Sequence, residues 1–263
     1  MTLPENQRLR RNRVIYLITP TYKRQTQIVD LTRLSQTLGF ARDSGFHQRL
    51  YWLIMEDAYN ATQRVRQIAI ESGLPFAHKA VKTSEKPRHR GVEQRNAALD
   101  IVQQLGAEGV VYFMDDDNAY NAQLMHELSY ITHVGVFGVG MPGNDAYERC
   151  HVNNETGKVD KIFSNFGQSS RTFPIDMAGF AFATYHLARN DEEGHPMRFS
   201  QETRKGHLED AILKFAAQHK SEMEPLAGNC TRILAWHVRT QGNNNKNPEG
   251  NDEKTFKLIE GLK

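Results

Sequence analysis

Between Val14 and Met114, short β-branched or aromatic runs alternate with stretches of helical period, and that alternation restricts the chain to a sheet with helices packed on its faces. Val14 to Ile18 has the composition of a strand ending at Pro20; Ile28, Leu31, Leu34 and Leu38 then share one helical face, with Gly39 placed as a C-cap. Leu50 to Met55 is a second strand, followed by a helix through Ile68 that ends near Gly73-Leu74-Pro75. A third helix through Ala97, Ile101 and Leu105 leads into the apolar run Val110 to Met114. Repeated strand-to-helix units predict an α/β fold with a largely parallel, doubly wound sheet. Beyond Asn121 the pattern loosens into apolar Val134 to Val139, a Gly/Asn/Asp-rich stretch from Gly140 to Asp145, apolar Ile175 to Ala183, a helix through Leu208, Ile212 and Phe215, and a strand from Ile233 to Trp236. This half reads as a second subdomain, and the polar tail Gln241 to Glu253 as an extension.

The third strand ends in Asp115-Asp116-Asp117-Asn118. Carboxylates there emerge at a strand's C-terminal end, where open α/β sheets bind ligands. Three adjacent like charges repel, and a divalent cation with a polyphosphate would neutralise them, because a hard cation takes carboxylate oxygens while leaving positions for phosphate and water. An acidic turn capping the helix that starts near Asn121 explains the same residues. On the motif alone the two readings are even.

Charge narrows the classes. The 33 Lys+Arg against 31 Asp+Glu give a formal +2, far from the basic excess of a nucleic-acid binder. No apolar run approaches the roughly 20 residues of a membrane span, and Met1 to Arg13 has no hydrophobic signal core. Two cysteines, Cys150 and Cys230, cannot form a disulfide framework; they are expected as buried free thiols, with one disulfide as the alternative. Asn60, Asn154 and Asn229 open sequons of a kind that also arises by chance.

Other polar residues fall at the same sheet edge. Pro20-Thr21-Tyr22-Lys23-Arg24 follows the first strand and Glu56-Asp57 the second. Tyr22 could stack on a nucleobase and Asp57 accept a base N–H, although a turn aromatic and a helix cap are the ordinary roles of such residues. Arg90 and Arg95 flank a helix start, where guanidinium forks can hold phosphate or carboxylate, or can merely pair at the surface.

Taken in order, Pro20-Thr21-Tyr22-Lys23-Arg24, Leu31-Thr32-Arg33-Leu34, Glu56-Asp57-Ala58, Glu93-Gln94-Arg95-Asn96, Asp115-Asp116-Asp117-Asn118, Ile175 to Ala181, Leu208-Glu209-Asp210, Asn229-Cys230-Thr231 and Trp236 to Thr240 give the chain its resemblance to a known family. From about Val14 to Thr240 it resembles the β-1,3-glucuronosyltransferases of glycosyltransferase family 43. The resemblance implies a GT-A-like nucleotide-sugar transferase fold, with a UDP-sugar-binding subdomain over 13–120, a fused acceptor-binding and catalytic subdomain over 121–240, and a C-terminal extension over 241–263. It implies UDP-glucuronate as donor, Mn2+ as metal and a galactose-terminated glycan as acceptor.

Carried over by position, Tyr22 and Asp57, with Pro20 beside them, would hold uracil; Arg90 and Arg95 the donor's anionic groups; Asp115 and Asp116 sugar and ribose hydroxyls; and Asp117 the metal. Glu209 would be the catalytic base, and His237 and Arg239 would meet the donor carboxylate and diphosphate. Glu148, Phe166, Arg171 and Asp176 would bind acceptor. The family further implies a homodimer in the Golgi lumen. Met114, Phe137-Gly138 and Met141 to Asp145 depart from the family pattern and bear on acceptor identity. The competing readings are a UDP-xylose-using relative, a non-catalytic glycan-binding module and a nucleotidyltransferase.

Overall fold

A computed structural model describes residues 13–44, 49–143, 145–165 and 170–240. The chain runs through β1 (Val14–Tyr22), α1 (Gln27–Asp43), β2 (Arg49–Asp57), α2 (Gln63–Glu71), β3 (Phe76–Ala80), α3 (Val92–Leu105), β4 (Gly109–Phe113), β5 (Ala119–Tyr120) and α4 (Gln123–Leu128). It continues with β6 (Val134–Val136), β7 (Gly138–Gly140), β8 (Tyr147–Val152), β9 (Val159–Phe163), β10 (Phe180–Ala183), α5 (Leu208–Ala216), β11 (Glu224–Pro225) and β12 (Ile233–Trp236).

Seven strands form one sheet in the order β11-β6-β10-β4-β1-β2-β3, with β4, β1, β2 and β3 mutually parallel and β10 antiparallel to both its neighbours. Both faces are covered. Ile15 and Leu17 of β1 pack with Leu31, Leu34 and Leu38 of α1 and Ile68 of α2, whereas Tyr16 and Ile18 pack with Leu99 and Val102 of α3 and Ile212 of α5. The α/β, doubly wound expectation is met. Because the chain leaves β1 for β2 and β3 and then returns to place β4 on the other side, strand order reverses between β1 and β4, which opens a crevice beyond their carboxyl ends. A second, five-stranded sheet, β5-β12-β7-β8-β9, is mainly antiparallel and is built almost entirely from the second half of the chain.

Several local expectations are corrected. β1 does not end at Pro20 but runs on to Tyr22. Its pairing with β4 ends at Ile18, so the missing proline N–H falls where β1 is paired on one side only. Gly39 does not cap α1; the helix continues to Asp43 because Ala41 packs in the core and Arg42 Nη1 donates to the Ser72 carbonyl at 2.7 Å. β3 escapes periodicity, since Phe76-Ala77-His78-Lys79-Ala80 has one large apolar residue and owes its extended form to pairing with β2. The run Val134 to Val139 divides into two strands that serve different sheets. Among the described residues no helix is long and apolar enough to cross a membrane.

Cys150 and Cys230 are not free thiols: they form a disulfide, with Cα atoms 5.6 Å apart, that ties β8 to the turn preceding β12. Their separation of 80 residues hid the pairing, which closes where the backbone at Asn229 and Cys230 is left-handed. Replacing Cys150 with Ser is expected to lower stability by about 2–4 kcal/mol, because the open chain regains loop entropy when unfolded. Urea unfolding of variant and parent measures this, and reducing the parent should reproduce the loss.

Candidate active site

The crevice at the β1/β4 reversal is a cavity of about 580 Å³. β1 delivers Pro20 and Tyr22 to it, β2 delivers Asp57, the start of α3 delivers Arg90 and Arg95, and the turn after β4 delivers Asp115, Asp116 and Asp117. All eight of these residues expected at the donor site thus line one space. Parallel strands cause this convergence, since their carboxyl ends lie on one edge.

Each side chain is held by a distinct set of partners. Tyr22 is 43% exposed, with the Arg24 and Arg90 guanidinium carbons 4.9 and 5.7 Å from its ring centroid. Burial pushes the Asp57 carboxyl up, but the Thr83 N–H at 3.0 Å, the Thr83 hydroxyl at 2.7 Å and Lys82 Nζ at 3.1 Å outweigh it and hold the group below its ordinary value. Gly91, at φ +79°, opens α3; a Cβ there would lie 2.5 Å from Arg95 Nη1. The bare glycine leaves room for Arg95 to donate to Asp115 Oδ1 at 2.7 Å.

The acidic turn is uneven. Asp116 is buried, and burial raises its carboxyl to about 6 even though Arg24 Nη1 donates to Oδ2 at 2.8 Å and the Thr21 hydroxyl at 2.6 Å. Asp117 is raised by burial and then by the Asp115 charge. Asp115, Asp116 and Asp117 all line the cavity, and carboxylates so placed could offer hard oxygen ligands to a divalent cation while leaving positions for phosphate and water. Among the described residues, the one grouping of three carboxylate or imidazole donors with ligand atoms within 4.8 Å of one another is instead Asp191, Glu193 and His195. It lies outside both clefts, with His195 N and Nδ1 already on Asp191.

A second cleft, of about 500 Å³, brings together Glu148, Arg171, Asp176, Glu209 and His237. Glu148 is buried on β8, accepts from the Ser164 hydroxyl at 2.6 Å and from the Asp176 N–H at 2.8 Å, and is raised by burial. Asp176 caps a short turn by accepting from the Ala178 N–H at 2.9 Å, and its other oxygen lies 3.2 Å from His237 Nδ1. That hydrogen bond is the main reason the His237 imidazole is raised. Glu209 opens α5 with its side chain about 22% exposed, and Arg171 Nη1 lies 3.9 Å from Oε2. Desolvation lifts its carboxyl to about 7, with Asp176 adding to the shift and Arg171 and Arg95 opposing it. Asp210 turns away from the cleft: it is buried, accepts from the Phe173 N–H at 2.7 Å and pairs with Lys214 at 2.8 Å.

The clefts adjoin, for Arg95 acts on Glu209, and Asp115 and Asp117 act on His237. β12 spans Ile233–Trp236 as expected, and His237 extends its ladder by donating its N–H to Gly140 O at 2.8 Å. His237 lines the second cleft, while Arg239 is exposed and lines neither. Phe166 lies outside the described residues. Sequence reasoning assigned no role to Thr21, Arg24, Lys82 or Thr83. The first two flank Tyr22 and were quoted only as motif; the other two follow β3, the strand that periodicity missed.

The family model described as glycosyltransferase family 43 matches residues 45–241. The chain is 38% identical over 250 residues to galactosylgalactosylxylosylprotein 3-beta-glucuronosyltransferase 3 of Homo sapiens, covering 86% of this chain and 70% of that protein. It is 36% identical over 240 residues to the sqv-8 galactosylgalactosylxylosylprotein 3-beta-glucuronosyltransferase of Caenorhabditis elegans, covering 86% and 64%. Among solved structures, S. aureus TarS 1-349 in complex with UDP-GlcNAc is similar in fold, with a TM-score of 0.52 at 15% identity; the match covers 88% of this chain and 60% of that one.

Proposed function

Because this chain belongs to glycosyltransferase family 43, we propose that it is an inverting transferase that moves glucuronate from UDP-glucuronate to the 3-hydroxyl of a terminal β-galactose, with Mn2+ as its metal. The observation that carries this reading is Glu209. A carboxylate lifted to about 7 by desolvation, in a cleft that adjoins the acidic turn, suits a general base at neutral pH.

The residues divide the work. Tyr22 offers a face to the uracil, and Asp57, already oriented by Thr83 and Lys82, accepts from the base. Arg90 and Arg95 meet the donor's anionic groups, and Asp115 and Asp116 its sugar and ribose hydroxyls. Asp117 would hold the cation, whose Lewis acidity neutralises charge on the departing diphosphate. Glu148, Arg171 and Asp176 orient the galactose so that its hydroxyl faces Glu209. Glu209 takes the hydroxyl proton as the oxygen attacks the anomeric carbon, the bond to the UDP oxygen breaks with its electron pair leaving on UDP, and the α-linked donor becomes a β-linked product. A non-catalytic glycan-binding module has no use for such a base. The disulfide fits an oxidising compartment, in keeping with a Golgi lumen, and a homodimer completes the proposal.

The test is a donor panel with Mn2+ against galactose-terminated acceptors, reading UDP release and product mass. Turnover with UDP-glucuronate that chelation removes is expected; preference for UDP-xylose, or pyrophosphate release from a nucleoside triphosphate, would overturn the assignment. His237→Ala should raise KM for UDP-glucuronate more than for UDP-glucose, because a raised imidazole beside the donor senses the carboxylate. Equal losses would make His237 structural.

A further inference from the structure

Asp30, in the first turn of α1, has a fully buried side chain. A buried charge needs partners, and this one has three. Arg24 Nη2 donates to Oδ2 at 2.8 Å, Arg33 Nη2 lies 3.4 Å from Oδ1, and the Thr240 hydroxyl donates to Oδ1. Both arginines then reach the acidic turn. Arg24 Nη1 donates to the Asp116 side chain, and Arg33 Nη2 donates to the Asp117 main-chain carbonyl at 2.8 Å. Arg33 Nη1 also donates to Thr240 Oγ1 at 3.3 Å. One buried anion therefore anchors two cations, and both cations grip the turn, Arg24 at Asp116 and Arg33 at the main-chain carbonyls of Asp117 and, at 3.5 Å, Asn118.

We propose that Arg33 is a positioning residue for the metal-bearing turn, fixing the Asp117 backbone so that the carboxylate is already placed when a divalent cation arrives; this rests on the donor-and-metal reading above. Three successive carboxylates repel, and the turn holds its shape only where something outside it binds both side chain and main chain. The planar guanidinium fork serves Asp117, Asp30 and Thr240 together, which an ammonium cannot do with the same geometry. Groups that orient a metal ligand contribute about 10–100-fold in metal affinity.

The experiment is calorimetric titration of UDP into parent, Arg33→Met and Arg33→Lys, each with Mn2+ and metal-free, with thermal midpoints recorded alongside. The gain in UDP affinity that Mn2+ confers is expected to fall about 10–100-fold in Arg33→Met and less in Arg33→Lys, with metal-free UDP affinity unchanged. Excess Mn2+ should restore the parental value. A folded Arg33→Met protein that keeps the parental gain, or loses metal-free affinity equally, overturns the proposal. Should Arg33→Met fail to fold, Thr240→Val removes one of the two side chains to which Arg33 is tied and leaves the guanidinium in place. A smaller loss of the same kind then supports the role, and none overturns it. If the parent itself gains nothing from Mn2+, the donor-and-metal reading falls, and the positioning role with it.

Discussion

Glu209→Gln is expected to lower turnover by about 10²–10⁴-fold while leaving the affinity for UDP and Mn2+ near the parental value. Glutamine keeps the length and the hydrogen-bonding reach of glutamate but cannot take the acceptor's proton, so the loss belongs to the chemical step and appears in kcat. Asp210→Asn is the matched control. That carboxylate is engaged with the Phe173 N–H and Lys214 and cannot substitute as base, so its replacement should change stability more than chemistry. The pH dependence has a definite sign. A base must be deprotonated to act, and with the Glu209 carboxyl near 7, kcat/KM of the parent is expected to rise as pH passes upward through about 7.

Stability runs the other way. The folded carboxyl binds its proton more tightly than the ordinary value of 4.5, so its contribution is greatest below about 4.5 and is lost as pH rises through about 7. Glu209→Gln should remove that slope and be the more stable protein at pH 8. A Glu209→Gln enzyme with parental turnover, or an Asp210→Asn enzyme with the larger kinetic loss, would move the base elsewhere.

Asp117→Ala is expected to abolish the Mn2+-dependent part of UDP binding, a loss of at least about 100-fold, since removing a proposed direct ligand costs more than disturbing the groups that orient one. Titration of UDP with and without Mn2+ separates this from a general weakening. Asp115→Asn and Asp116→Asn should lower donor affinity while keeping a clear response to the metal, because the first is paired with Arg95 and the second with Arg24 and Thr21. Equal metal dependence in Asp117→Ala and parent would place the cation on another ligand.

Much of the donor-side architecture was legible from residue pattern alone. Val14 to Ile18, Trp52 to Met55 and Val110 to Phe113 are buried on both faces, and such strands announce themselves by unbroken apolar runs. Knowing that they lie parallel is enough to place Tyr22, Asp57 and Asp115 to Asp117 on one edge. β3 was invisible because nothing in its own residues demands a strand. Losing it also hid Lys82 and Thr83, whose bonds to Asp57 follow from where β3 ends.

The second cleft was legible only through family resemblance. Glu148, Arg171, Asp176, Glu209 and His237 come from segments spread along the second half of the chain, and each alone is an ordinary polar residue. The sequence by itself determined the α/β layering and the edge on which the acidic turn emerges, because hydrophobic period and strand direction are local properties of the chain. Only the tertiary structure decided that Cys150 meets Cys230, that Arg239 stays in solvent while His237 enters the cleft, and that the Glu209 carboxyl rises to about 7. Those outcomes depend on which groups approach from distant segments and on how much water they exclude, and no local pattern encodes either.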